Sequence, residues 1–421
     1  MFFVIFFYYK KLYIEASFLN NRILINAWEQ RKLGEVAERV TRKNKNLESE
    51  LPLTISAQHG LINQETFFNK KVASKDVSGY YLLKKGEFAY NKSYSSDYPW
   101  GAVKRLDNYE MGVLSTLYIV FRPNSIDSDF LAVYYDSPKW HKEVSMRAAE
   151  GARNHGLLNI SPQDFFDTEL MFPVNHPEQA AIGFFFQELD QLITLQQREL
   201  ELMKEGKKTL LSKMFPKDGE NFPEIRFLGF TDAWEQRKLG EISEKVKEKN
   251  SDNLYSIVLT NSAEFGIIPQ RDFFDKDIAN EKSLNGYYIV KQDDFVYNPR
   301  ISNHAPVGPI KRNQLNEVGV MSPLYYVFRT HDIENSYLAT YFNTTYWHKF
   351  MKLNGDSGAR ADRFSIKDSL FIEMPIPCPT LPEQTAIGSF FQELDQLITL
   401  QQRELEILKT MKSTLLKAMF A

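Results

Sequence analysis

Two adjacent cations, Lys104 and Arg105, return in the second half of the chain as Lys311 and Arg312, and Arg153 returns as Arg360. Arg147 lies a few residues before the first of these arginines, and Arg363 follows the second. A guanidinium offers parallel donors that fit the edge of guanine, Asn and Gln match adenine, and Lys chiefly neutralises phosphate. Taken singly, each would be an ordinary solvated charge. Recurrence at matching places in two segments makes them a candidate set. The letters around them differ between the copies: Gln58 aligns with Glu264, His59 with Phe265, and Ser93 with Arg300. Asn154, His155 and Gly156 align with Ala361, Asp362 and Arg363. Shared cations with different polar neighbours would let two sites hold one kind of polymer and read different words in it.

Bond-making chemistry finds no support. Gly206 and Lys207 resemble part of a phosphate loop, but Glu201 stands where its first glycine is required and Lys208 where Ser or Thr is required. There is no GxGxxG after a strand and no GxSxG elbow. Asn298-Pro299-Arg300 is not the Asn-Pro-Pro-aromatic run with which adenine methyltransferases hold a flipped base. One cysteine, Cys378, rules out a cysteine-cluster metal site, and seven histidines show no HExxH spacing. The expectation is no catalysis and no cofactor or metal bound by this chain.

The elements that must position the candidate residues are written twice. PEQAAIGFFFQELDQLITLQQRELELMKEGKKTLLSKMF, starting at Pro177, returns from Pro382 as PEQTAIGSFFQELDQLITLQQRELEILKTMKSTLLKAMF, with seventeen consecutive identical residues from Phe185 and Phe390. Pro in the first turn, followed by Glu178 or Glu383, opens a helix at its positive end. Apolar residues then step by three and four through Ile182, Phe186, Leu189, Ile193, Leu200, Met203, Leu210 and Met214. Gln196 and Lys207 interrupt that row, and Gln401 and Lys412 interrupt its twin. This is a coiled-coil seam, and Gln196 with Gln401 are expected to fix helix register. A helix of about 38 residues at 1.5 Å each is roughly 57 Å long, near 17 base pairs of duplex at 3.4 Å. Parallel and antiparallel packing both satisfy the stripe.

Between the helices lie short aromatic and β-branched runs broken by Gly, Asn, Asp and Pro, the signature of strand-rich α+β domains. The expected order is an atypical N-terminal extension over 1–26, a first domain over 27–176 and a long helix over 177–216. An exposed linker over 217–232, a second domain over 233–381 and a second helix over 382–421 follow. Composition sets limits too: net charge −3 and pI near 6.2 argue against a protein that holds nucleic acid alone by bulk charge. The apolar opening before Lys10 is short, lacks a basic start and a small-residue cleavage site, and so predicts no membrane anchor and a cytoplasmic chain.

Several marks occur together and in duplicate: AWEQRKLGE at Ala27 and Ala233, GEFAYN at Gly86 with DDFVYN at Asp293, and LYIVFR with LYYVFR. GAR at Gly151 and Gly358, and PEQ opening a helix that ends in LLxxMF, complete the set. Together they resemble the specificity subunits of type I restriction-modification enzymes over residues 27–421. The resemblance implies an α+β fold with two pseudo-symmetric target recognition domains and two long helices packed as an antiparallel coiled coil. It implies a non-catalytic subunit in which each domain reads one half of a bipartite double-stranded DNA site. The helices would set the spacing and dock two methyltransferase subunits, and restriction or motor subunits would join for cleavage. S-adenosylmethionine, ATP and Mg would belong to those partners. The competing reading from another class is an adaptor whose two domains bind proteins.

Overall fold

The computed structural model describes residues 28–56, 60–70, 72–96, 98–148, 156–273, 281–356 and 362–420. The described residues fall into two compact units, one holding those up to 197 together with 404–420, the other those of 198–403.

In the first unit, β1 (Trp28–Lys32) leads through the single turn α1 (Leu33–Val36) into β2 (Ala37–Arg39). The hairpin β3 (Leu53–Ser56) and β4 (Gly60–Asn63) follows, then α2 (Gln64–Phe68). Next come β5 (Tyr81–Lys84), β6 (Phe88–Asn91), β7 (Ala102–Arg105), β8 (Met111–Leu114) and β9 (Ile119–Pro123). Helices α3 (Ser128–Asp136), α4 (Lys139–Arg147) and α5 (Pro162–Phe166) precede β10 (Glu169–Pro173) and the long α6 (His176–Lys213). Four strands form an antiparallel sheet in the order β2-β9-β6-β7, while β1 pairs with β10 and β5 with β8.

The second unit repeats this. Strands β11 (Glu235–Lys238), β12 (Ser243–Lys245), β13 (Leu259–Ser262) and β14 (Gly266–Pro269) precede α7 (Gln270–Phe273). After them come β15 (Tyr288–Val290), β16 (Phe295–Tyr297), β17 (Ile310–Arg312), β18 (Gly319–Met321) and β19 (Tyr326–Thr330). Helices α8 (Asn335–Tyr341), α9 (Tyr346–Asn354) and α10 (Asp368–Phe371), then β20 (Pro375–Cys378) and α11 (Leu381–Met419), close the chain. The sheet order β12-β19-β16-β17 matches its twin strand for strand. The mixed strand and helix architecture expected from the sequence is the one observed.

The long helices explain why the units are discontinuous. In the first unit Ile182, Phe186 and Leu189 of α6 share a core with Phe88, Phe121 and Tyr134, and Leu408 and Leu416 of α11, with Phe420 just past it, complete it. The Phe420 ring lies edge-on to Trp28 at 5.9 Å and Phe130 at 5.7 Å. In the second unit Phe215, just past α6, meets Trp234 at 6.0 Å and Tyr337 at 5.6 Å. The repeated Met-Phe ending is therefore an anchor in a tryptophan-walled core.

The second unit also shows the direction of its helix pair. Lys412 Nζ reaches Asp190 at 2.7 Å in the first unit; Lys207 Nζ reaches Asp395 at 2.5 Å in the second. Gln401 Nε2 donates to Glu199 at 3.4 Å. Since 207 contacts 395 while 199 contacts 401, the partners advance in opposite senses, which makes the pair antiparallel. The two lysines that interrupt the apolar stripe thus carry ion pairs across the seam, and Gln196 and Gln401 are both buried in it.

Each helix start is tied to its own unit by the same glutamine. Gln179 donates to Pro173 O at 2.7 Å and accepts from Asp127 N–H at 2.7 Å; Gln384 donates to Pro379 O and accepts from Glu334 N–H, both at 2.8 Å. The linker is mostly exposed, but Arg226 within it clamps buried Glu383 at 2.7 and 2.8 Å. Among the described residues no helix is long and apolar enough to cross a membrane.

Candidate nucleic-acid interface

In the second unit three segments come together at one edge. Strand β16 is followed by Asn298, whose side chain accepts from Arg300 N–H at 3.0 Å and donates to Asn261 O at 2.8 Å, tying this loop to the β13–β14 hairpin. At the hairpin tip Ser262 Oγ accepts from both Glu264 N–H and Phe265 N–H at 3.2 Å, holding Glu264 and Phe265 outward and exposed. Beyond the loop, Ile301 N–H donates to Asp362 O at 3.0 Å and Phe364 N–H to Pro299 O at 2.7 Å. Those bonds flank an antiparallel bridge between Arg300 and Arg363. The Arg300 side chain is 61% exposed, and its guanidinium stands 4.0 Å from Asp362. Beside the pair lies a cavity of about 300 Å³ lined by Arg363, Tyr297, Pro299 and Tyr325.

The first unit builds the same edge with different chemistry. Asn91 accepts from Ser93 N–H at 3.0 Å, Tyr94 N–H donates to Gly156 O at 3.0 Å, and Leu158 N–H to Lys92 O at 2.9 Å. The bridged pair here is Ser93 and Leu157, with Tyr94 and Tyr98 exposed nearby. In both units the loop closes at a glycine for a steric reason. A Cβ on Gly101 or Gly308 would fall 2.1 Å from the carbonyl of Asn91 or Asn298, and both glycines have positive φ.

This geometry corrects the sequence alignment by one residue. Arg363 stands where the first unit has Leu157, not Gly156, and Asp362 stands where it has Gly156. The residues between Ala148 and Gly156 outnumber their counterparts between Gly355 and Asp362 by one, and the identical GAR letters hid the shift.

The recurring cations occupy different surroundings. Lys104 pairs with Asp136 at 2.6 Å, and Arg105 with Asp107 and Asp129, both at 2.6 Å. Arg147 pairs with Glu143 at 2.6 Å, Lys311 bonds Asn343 at 2.9 Å, and Arg312 pairs with Asp293 at 2.7 Å. All five lie at strand ends or on a helix rather than in loops, with charge or amide partners inside their own unit. Burial pulls the Lys311 ammonium down, and Lys207 pushes the same way against Asp395. Burial also acts to lower Lys412, but Asp136 and Asp190 outweigh it and hold it above its ordinary value. Asn343 replaces Asp136 at the matching place, so this cluster is charge-balanced in the first unit and one positive charge in excess in the second. Gln58, His59, Arg153, Asn154, His155 and Arg360 lie outside the described residues.

Ser93, Glu264 and Arg300 are thus exposed at these edges with Arg363 half-buried beside them, and Tyr94, Leu157 and Asp362 join them. The sequence signal for these additions was the divergence after the repeated Tyr-Asn, where Lys92-Ser93-Tyr94 replaces Pro299-Arg300-Ile301. Among the described residues no group of three or more His, Cys, Asp or Glu could hold a metal ion.

Comparison with known proteins places this geometry in context. Residues 231–410 match the family model of the type I restriction modification DNA specificity domain. The chain is 22% identical over 327 residues to the type I restriction enzyme MjaVIII specificity subunit of Methanocaldococcus jannaschii, covering 72% of each. It resembles the type I restriction-modification S subunit from M. genitalium, with TM-score 0.53 and 15% identity, covering 94% of this chain and 97% of that one. It also resembles a structure described in terms of complex assembly and conformational transition of the type I R-M system, with TM-score 0.51 and 17% identity, covering 93% and 97%. The family resemblance read from the sequence is matched by the family model over residues 231–410, and the fold is similar to that of these structures.

Proposed function

We propose that this chain, with a type I restriction modification DNA specificity domain over residues 231–410, is the DNA sequence-specificity subunit of a type I restriction-modification complex. Each strand-rich unit reads one half of a bipartite double-stranded site. The observation that carries this reading is one backbone edge built twice with unlike side chains, Ser93 and Leu157 in one unit and Arg300 and Arg363 in the other. A scaffold that repeats strand for strand while its exposed edge changes suits two readers of two words.

The long helices, 38 and 39 residues and so about 57 Å and about 59 Å long, set the distance between the half-sites. They also dock two methyltransferase subunits. Leu195 and Ile407 are exposed on the helix segments of the first unit, and Leu202, Leu397 and Leu400 on those of the second, apolar surface suited to partner helices. The chain itself is non-catalytic. S-adenosylmethionine chemistry comes with the methyltransferases, and ATP and Mg with restriction or motor subunits.

Co-expression with the cognate methyltransferase subunit, followed by mapping of methylated adenines, tests this. A bipartite motif should appear, and exchanging the β13–β14 tip, residues 262–266, should alter one half of it. A motif without two separated halves, or methylation indifferent to this chain, overturns the proposal. An adaptor of proteins alone would give the second result.

A further inference from the structure

Arg300 and Arg363 form an arrangement that folding alone does not favour. The bonds from Ile301 to Asp362 and from Phe364 to Pro299 flank the bridge, which makes the two arginines a non-hydrogen-bonded antiparallel pair. This is the closer of the two cross-strand geometries, with Cα atoms about 4.5 Å apart and side chains on one face. Like charges directly opposite destabilise a ladder. The first unit makes the same bridge from uncharged Ser93 and Leu157, so the backbone does not need the charges. Among the described residues the only carboxylate in ion-pair range of either arginine is Asp362, at the 4.0 Å limit from Arg300.

Resting on the DNA-specificity reading, we infer that the Arg300–Arg363 pair is a guanine-reading element and that the half-site read by the second unit requires guanine where this pair docks. The neighbouring acid decides between base and phosphate. Exposed Asp362 stands beside the arginines and repels phosphate, whereas a carboxylate accepts from the amino group of cytosine. Two guanidiniums with an adjacent carboxylate therefore match both partners of a G·C pair on its major-groove edge. Ser93 and Leu157 offer a hydroxyl that suits any base and an apolar surface that suits the thymine methyl, so the first unit carries no such requirement at this place.

The test uses the full complex with methyltransferase subunits and a DNA library in which the second unit's half-site is randomised. The wild-type chain should select guanine in that half-site. Arg300→Lys with Arg363→Lys keeps both charges but loses the bidentate forks, and should relax the guanine preference by about 5- to 150-fold. Arg300→Ser with Arg363→Leu, copying the first unit, should relax it at least as far, and the other half of the motif should stay unchanged in both variants. The inference is overturned by a wild-type half-site without guanine. Full preference in the lysine variant overturns it as well, since phosphate contact would then suffice. Loss of all methylation by both variants also overturns it, because the pair would then support assembly rather than choose a base. Absence of any bipartite motif with the wild-type chain would instead sink the specificity reading on which it rests.

Discussion

Glu383 is fully buried, and Arg226 donates to both of its oxygens while also holding Asp232 O at 2.7 Å. A buried ion pair owes its survival to complete hydrogen bonding, and removing one member strands the other charge. Arg226→Ala should therefore destabilise the second unit by about 3–5 kcal/mol, whereas changing Arg226 and Glu383 together to Met should cost much less. Urea denaturation of the two variants separates these outcomes. Little of this was legible, because PEQ reads the same in both copies and Arg226 stands in a stretch with the composition of a loop. Lys104, Arg105, Lys311 and Arg312 show the opposite difficulty. Their recurrence was plain, but a cation repeated with its carboxylate or amide partner looks the same in sequence as one repeated for a ligand.

The helices were the most legible elements, since period, start and Met-Phe ending all lay in the letters. Their direction was not, because an apolar stripe fits parallel and antiparallel neighbours alike. The polar contacts of the second unit resolve it, through Lys207 with Asp395 and Glu199 with Gln401. At this scale the Met-Phe endings act as plugs. Phe420→Ala should cost the first unit about 3–5 kcal/mol, and Phe215→Ala the second unit a similar amount, with little effect on the other. Hydrogen exchange followed separately in each unit reads this directly. Equal loss of protection in both units after either change would refute the assignment of each phenylalanine to one core.

For the whole molecule, duplication was visible at once, and the matched sheet orders follow from it. What similarity of letters missed was one residue of loop length, which makes Arg363 the counterpart of Leu157 rather than of Gly156. Net charge of −3 limits what the chain does alone. Its binding to random duplex should show a shallow salt dependence, equivalent to fewer than about five phosphates, and adding methyltransferase subunits should steepen it. Titration across a range of salt concentrations checks both. Another consequence concerns order of synthesis. The first unit draws Leu408, Leu416 and Phe420 into its core, yet the ribosome supplies them only after the entire second unit. At roughly 5–20 residues per second, the earlier-made unit waits about 10–40 s with the seat of Phe420 empty. The half that begins first is finished last, and a nascent chain halted before Leu408 carries an open aromatic socket that a chaperone or another copy of α11 can enter.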